Sequence, residues 1–235
     1  MEHIKKGAVV LKAAPAAGDM ALINRLTLRE LMEEEVFTFR VAAADTQVDR
    51  DFERFSKECL EKLAELYVGK PFIADHQWSS GNQVARVYAG AVETGEDGVS
   101  RLILSCYMLR SGASQTLIDA IEAGINREVS VGVAVKRATC SICGADKARA
   151  YCEHRPGKSY DGTLCTVELG DPEDAYEVSF VAVPSQREAG VVKRYAGDQE
   201  KPAAPPEDKD AARRKQLTAV IALEKIKFLE EVPTT

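Results

Sequence analysis

Three side chains that together can open an acyl bond stand far apart in this chain: a histidine in FIADHQW (His76), a serine in REVSVGVAV (Ser130) and a glutamate in AYEVSFVAVP (Glu177). A serine hydroxyl is a weak nucleophile until an imidazole takes its proton, and a carboxylate behind the ring fixes the tautomer and stabilises the imidazolium. The chain has 3 histidines, so elimination is informative: His3 lies in the terminal tail, His154 sits among cysteines, and His76 remains. An apolar approach leads to His76 and the turn-like HQWSSGN follows it, which suits a ring at the core edge with access to solvent; a structural histidine fits the same place. On the last of these strands Tyr176, Val178, Phe180 and Ala182 share one face, and Glu177, Ser179, Val181 and Val183 the other. A carboxylate among apolar strand positions is costly to bury without a partner, and a histidine N–H would be one. An edge strand that turns Glu177 to water is the alternative.

The serine strand has a two-residue period. Val129, Val131, Val133 and Val135 fall on one side, and Ser130, Gly132 and Ala134 on the other. Three small residues in a row leave space above that face for a closely packed element or for a substrate. Beside Gly132 the space would admit a peptide carbonyl.

A second kind of chemistry resides in CSICGADKARAYCEH. Cys140 and Cys143 are separated by two residues, Cys152 and His154 by one, and thiolate and imidazole are the ligands with which zinc completes a tetrahedral structural site. The second pair is tighter than usual finger spacing, so Cys165 is a candidate substitute ligand. The alternative is a set of reduced loop cysteines. A closed four-ligand site leaves no position for water, so the metal would hold a loop that has too few large apolar residues to order itself. Lys147, Arg149, Arg155 and Lys158 alternate with acids across this insert, which argues against a nucleic-acid role.

These groups need elements to hold them. With 235 residues, 45% hydrophobic and 29% charged, the chain can bury one sizeable core. A net charge of −6 gives no basic footprint, so proteins are expected as partners before nucleic acid. The first apolar run is broken by Lys12, and no run approaches the roughly 20 apolar residues of a membrane helix. The expectation is a cytoplasmic chain with reduced cysteines, of which Cys59 and Cys106 read as small buried hydrophobes. LTLRELMEEE is short, charged and helix-compatible, and a strand is expected over 36–43. Phe55, Cys59, Leu60, Leu63 and Leu66 have helical spacing, with Gly69 placed to stop the helix. VARVYAGAVETGEDGVSRLILSCYML reads as two strands around a turn. A helix capped by Ser111 or Ser114 carries Leu117, Ile118 and Ile121 and ends near Gly124. The divisions expected are an N-terminal segment over 1–34, a main domain over 35–195 containing the 140–165 insert, a Pro- and charge-rich linker over 196–210, and an amphipathic helix over 211–235. That helix needs a partner, either this domain or another protein. There are no internal repeats.

The ordered motifs FIADHQW, SVGV and EVSFVAVPS, with the acidic turn TQVDRD before them, resemble the tailed-phage prohead proteases, capsid-maturation serine proteases distantly related to herpesvirus assemblins. The likeness spans about residues 35–192. It implies an α+β fold: a compact, mainly antiparallel β-barrel flanked by helices, here with a zinc-binding loop insert. It implies Ser130 as nucleophile, His76 as general base and Glu177 as third member, with Asp174 and Asp75 as substitutes if the last strand's register differs. Oxyanion donors would come from the SQREA loop, 185–189. The implied reaction is hydrolysis of scaffold and major capsid proteins, and of the protease itself, inside the immature prohead in the host cytoplasm. Two departures are plain: the simplest members lack the cysteine insert, and Val133 stands where the family often has an aromatic residue. Two competing classes are a non-catalytic zinc-stabilised assembly or binding module and a zinc hydrolase. A homo-oligomer is compatible with each.

Overall fold

The computed structural model describes residues 10–12, 18–184 and 190–192, with side chains over 18–184. His3, the 185–189 loop, the 196–210 linker and the 211–235 helix lie outside the described residues. The elements in chain order are β1 (Val10–Lys12), α1 (Asp19–Asn24), β2 (Val36–Asp45), β3 (Glu53–Phe55), α2 (Lys57–Leu66), β4 (Pro71–Ala74), β5 (Ala85–Thr94), β6 (Ser100–Leu109), α3 (Gly112–Glu122), β7 (Val129–Cys140), β8 (Ser159–Tyr160), β9 (Thr163–Leu164), β10 (Val167–Phe180) and β11 (Gly190–Val192). Charged LMEEE forms only a single 3-10 turn, Glu33–Glu35.

The class is α+β. Nine strands form one sheet in the order β1-β2-β6-β5-β4-β10-β7-β11, with β3 also paired to β10; β8 and β9 make a separate hairpin. Most pairings are antiparallel, as expected, but β3 and β4 both run parallel to β10, and β11 runs parallel to β7. The expected closed barrel is not formed among the described residues: the ladder ends at β1 and β11, three residues each, and those strands do not pair. Instead the sheet curls until β2 and β7 meet across it, giving a half-barrel whose hollow is filled by side chains.

Local sequence explains the two longer helices. The Ser56 hydroxyl accepts from the Cys59 N–H at 3.1 Å and starts α2, whose Cys59, Leu60 and Leu63 are buried against the sheet. Phe55, expected on that helical stripe, is the last residue of β3 and pairs with Leu169, because the helix begins only after the cap. Gly69 follows with φ 83°, ending the helix. Ser111 is the N-cap of α3, but its hydroxyl bonds Ser114 Oγ at 2.9 Å in place of a backbone N–H.

At the centre, the Phe72 ring lies 4.5 Å from Phe180 and 5.5 Å from Phe39, joining β4, β10 and β2. Phe72 is fully buried. It sits four residues before His76, so the cluster also anchors the strand that delivers the imidazole. Phe72→Ala is expected to cost about 3–5 kcal/mol, read as a lower urea midpoint with an unchanged slope.

Candidate functional site

Strand β10 organises the site. Its residues 178–180 pair with Phe72, Ile73 and Ala74 of β4 on one side, while its other edge runs antiparallel to β7 with Glu177 opposite Gly132 and Ser179 opposite Ser130. The turn after β4 then carries His76 over β10. Asp75 and His76 both have left-handed backbones, φ 52° and 53°, a conformation that costs residues other than glycine about 1–3 kcal/mol each. Neighbouring bonds hold them there: Asp75 N–H donates to Phe180 O at 2.9 Å, His76 N–H to Ser179 Oγ at 3.2 Å, and the Asn82 amide to Ala74 O at 2.7 Å.

His76 Nδ1 lies 2.8 Å from Glu177 Oε1. The other carboxylate oxygen, Oε2, accepts from the Ser179 hydroxyl at 2.6 Å. Glu177 is 3% exposed and Ser179 is fully buried, so both oxygens of a nearly dry carboxylate are engaged, as burial of such a group requires. With Nδ1–H directed at Glu177, Nε2 is the nitrogen able to accept a proton. Asp174 instead bonds Lys70 at 2.9 Å, and that hydrogen bond holds its carboxyl below the ordinary range. It is therefore occupied away from the ring.

Gly132 answers what the small face of β7 is for. A Cβ at that position would lie 2.8 Å from Glu177 Oε1, so the nearest occupant of the space is the carboxylate and not a peptide carbonyl. Behind the strand, Tyr67 donates its hydroxyl to Gly132 O at 3.0 Å; burial, and then the Glu177 charge, keep that phenol protonated far above its usual range. Ser130, two residues along, is 2% exposed. Its direct cross-strand neighbour is Ser179, and such pairs have Cβ atoms about 4.5–5.5 Å apart. The structure thus brings His76 and Glu177 into contact and places Ser130 on the adjacent strand, opposite Ser179.

A cavity of about 340 Å³ opens beside His76 and Glu177, walled by Trp78, Gly132, Val133, Ala134 and Tyr176. Tyr176 was expected on the face opposite Glu177. The register shifts between Ala175 and Glu177, leaving Tyr176 as an extra residue in a bulge, and bulges re-aim side chains in this way. Sequence reading assigned no role to Ser179 or Trp78. An E-x-S alternation on one strand face, and a tryptophan two residues after a candidate base, are the signals that could have found them.

The cysteine insert forms its own cluster. One donor atom each from Cys140, Cys143, Cys152 and His154 lies within 4.8 Å of the others, so these residues could hold a metal ion. Cys143 and Cys152 sulfurs are 3.5 Å apart, and Cys152 Sγ is 3.6 Å from His154 Nδ1. A tetrahedron of thiolates about 2.3 Å from a metal has edges of about 3.8 Å, so the spacing fits. Burial pushes the Cys140 thiol up, but N–H groups of Cys143 and Ile142 donating to its sulfur, helped by the neighbouring thiols, bring it down to about 6. It is then the thiolate that metals bind. Cys165 Sγ sits 3.9 Å from Cys140 Sγ and is pushed up to about 11, by burial first and then by Cys140, which makes it a thiol donor beside the Cys140 sulfur. Lys147 Nζ clamps the second pair by donating to His154 O at 3.0 Å. Among the described residues, no helix is long and apolar enough to cross a membrane.

Set against family models, curated proteins and solved structures, the chain matches none.

Gly132→Ala tests the arrangement around the carboxylate. Because the new methyl displaces a doubly bonded Glu177, the variant should fold with a stability loss of about 1–3 kcal/mol, read by urea denaturation. An unchanged midpoint would show that the carboxylate can move aside at no cost.

Proposed function

We propose that the protein is a serine endopeptidase of the prohead-maturation class. The observation that carries this reading is the 2.8 Å contact between His76 Nδ1 and Glu177 Oε1, with Ser130 in the neighbouring strand opposite Ser179. In this mechanism His76 Nε2 takes the proton of Ser130 Oγ as that oxygen adds to a peptide carbonyl. Glu177 stabilises the imidazolium, which then gives its proton to the leaving amine. Water repeats the sequence on the acyl-enzyme and regenerates Ser130. The maturation context, with scaffold and major capsid proteins as substrates inside the prohead, is supported by the FIADHQW, SVGV and EVSFVAVPS motifs.

The metal is inferred to be zinc with a structural role. Three sulfurs and one imidazole suit zinc in a closed tetrahedral set. Cys140 lies eight residues along β7 from Gly132, about 26 Å at strand rise, which is too far for a metal-bound water to reach the substrate beside His76. A zinc hydrolase is disfavoured by that separation. The burial of Ser130 favours one second reading, a zinc-stabilised assembly or binding module in which His76 and Glu177 form a structural pair.

Co-expression with scaffold and capsid protein separates the two. Ser130→Ala should abolish processing, and in purified protein should lower the cleavage rate by about 10³-fold or more; undiminished cleavage overturns the protease. For the metal, elemental analysis should find about one zinc per chain. Cys143→Ala should lose it, and chelation should lower the melting temperature.

A further inference from the structure

Two aromatic side chains wall the cavity beside the imidazole, and the proton-transfer chemistry uses neither. Trp78 is 69% exposed and Tyr176 40% exposed, although both are large and apolar. Their ring centroids lie 5.4 Å apart at 52°, so they form one continuous surface. They reach it by unrelated routes, Trp78 from the turn after His76 and Tyr176 from the bulge in β10. The rest of the wall includes Gly132, Val133 and Ala134 of β7. Among the described residues, carboxylate and imidazole groups in the wall are limited to Glu177 and His76, which are hydrogen-bonded to each other. A charged side chain entering here would lose water and, among the described residues, find no open partner, since both Glu177 oxygens are already taken by His76 and Ser179, whereas an aliphatic or aromatic one would cover two exposed rings. The volume, about 340 Å³, lies at the small end of ligand pockets, which run from about 300 Å³ upward. That is room for a side chain or two, not for a folded domain.

We propose that the Trp78–Tyr176 cleft is the subsite that selects an extended peptide by an uncharged, apolar side chain flanking the bond to be cut. The proposal rests on the peptidase reading and adds the substrate class to it. Lys, Arg, Asp and Glu are rejected at that position because the described wall offers them no partner that is not already engaged. Leu, Met, Phe and Tyr are accepted because they cover the two rings.

Trp78 is the only tryptophan in the chain, so its fluorescence reports directly on the cleft. The full-length Ser130→Ala protein is titrated with four pools of blocked octapeptides, each with Leu, Phe, Lys or Asp fixed at one central position and the flanks randomised. The Leu and Phe pools should change Trp78 emission with half-saturation about tenfold or more below the Lys and Asp pools. Tyr176→Ala in the same background should narrow that gap. Equal responses from all four pools, or no response from any, overturn the subsite. In parallel, wild-type protein is incubated with a proteome-derived peptide mixture and the new termini are read by mass spectrometry. Cleavage sites with an apolar residue at one flanking position support the proposal; sites with charged residues there at their frequency in the mixture overturn it. Discriminating binding with no cleavage by the wild type would sink the peptidase reading while leaving the cleft's selectivity standing.

Discussion

A nearly dry carboxylate that must use both of its oxygens is the constraint around which this protein is arranged. Glu177 is buried between sheet and loop, and its charge is tolerable only because Ser179 supplies a hydroxyl to one oxygen and His76 an imidazole N–H to the other. Each partner imposes a demand on the fold. Ser179 must lie on the same face of β10, two residues on. His76 must be lifted over that face, which the chain achieves with two consecutive left-handed residues. Gly132 must have no side chain, since the carboxylate fills the space a methyl would take. Ser130, on the same narrow face, comes to the group through strand register alone.

The metal cluster and the His76 region are distant, yet they share two strands. β7 runs from Val129 past Ser130 to Cys140, and β10 runs from Val167, two residues beyond Cys165, to Glu177 and Ser179. The cysteine insert is therefore the loop that joins the two central strands of the site. It is stitched to them by Ser141 N–H donating to Thr166 O and by Thr166 N–H donating to Ser141 Oγ. An ordering ion at that junction would limit fraying of the β7–β10 ladder from its far end, which is how a structural metal can matter to chemistry it never touches.

What was legible in the sequence is what depends on local spacing. The alternation in REVSVGVAV marked β7, the TGEDG turn marked the β5–β6 hairpin, and Cys-x-x-Cys followed by Cys-x-His picked out the four residues that cluster. Irregularities hid the rest. The strand read from the sequence begins at AYEVSF, so the first half of β10 was not anticipated; Asp171 takes a left-handed conformation and the strand runs through Pro172. The bulge at Tyr176 adds one residue, and a strict two-residue period then assigns that side chain to the wrong face. Closure of the sheet depends on which strands lie at its ends, and no periodicity encodes that. The parallel pairing of β10 with β3 and β4 is likewise set by tertiary packing.

Those parallel pairings have a consequence for synthesis. Strand β10 holds β3 by its first residues and β4 by its last, joining segments that leave the ribosome long before it does. His76 and Glu177 are separated by 101 positions, so the imidazole has no anion behind it until nearly all of the described chain has been translated. Contacts of such long sequence separation also form slowly. A nascent chain that ends before Glu177 therefore lacks the His76–Glu177 contact, and the buried carboxylate and its imidazole partner are assembled together only after β10 has emerged.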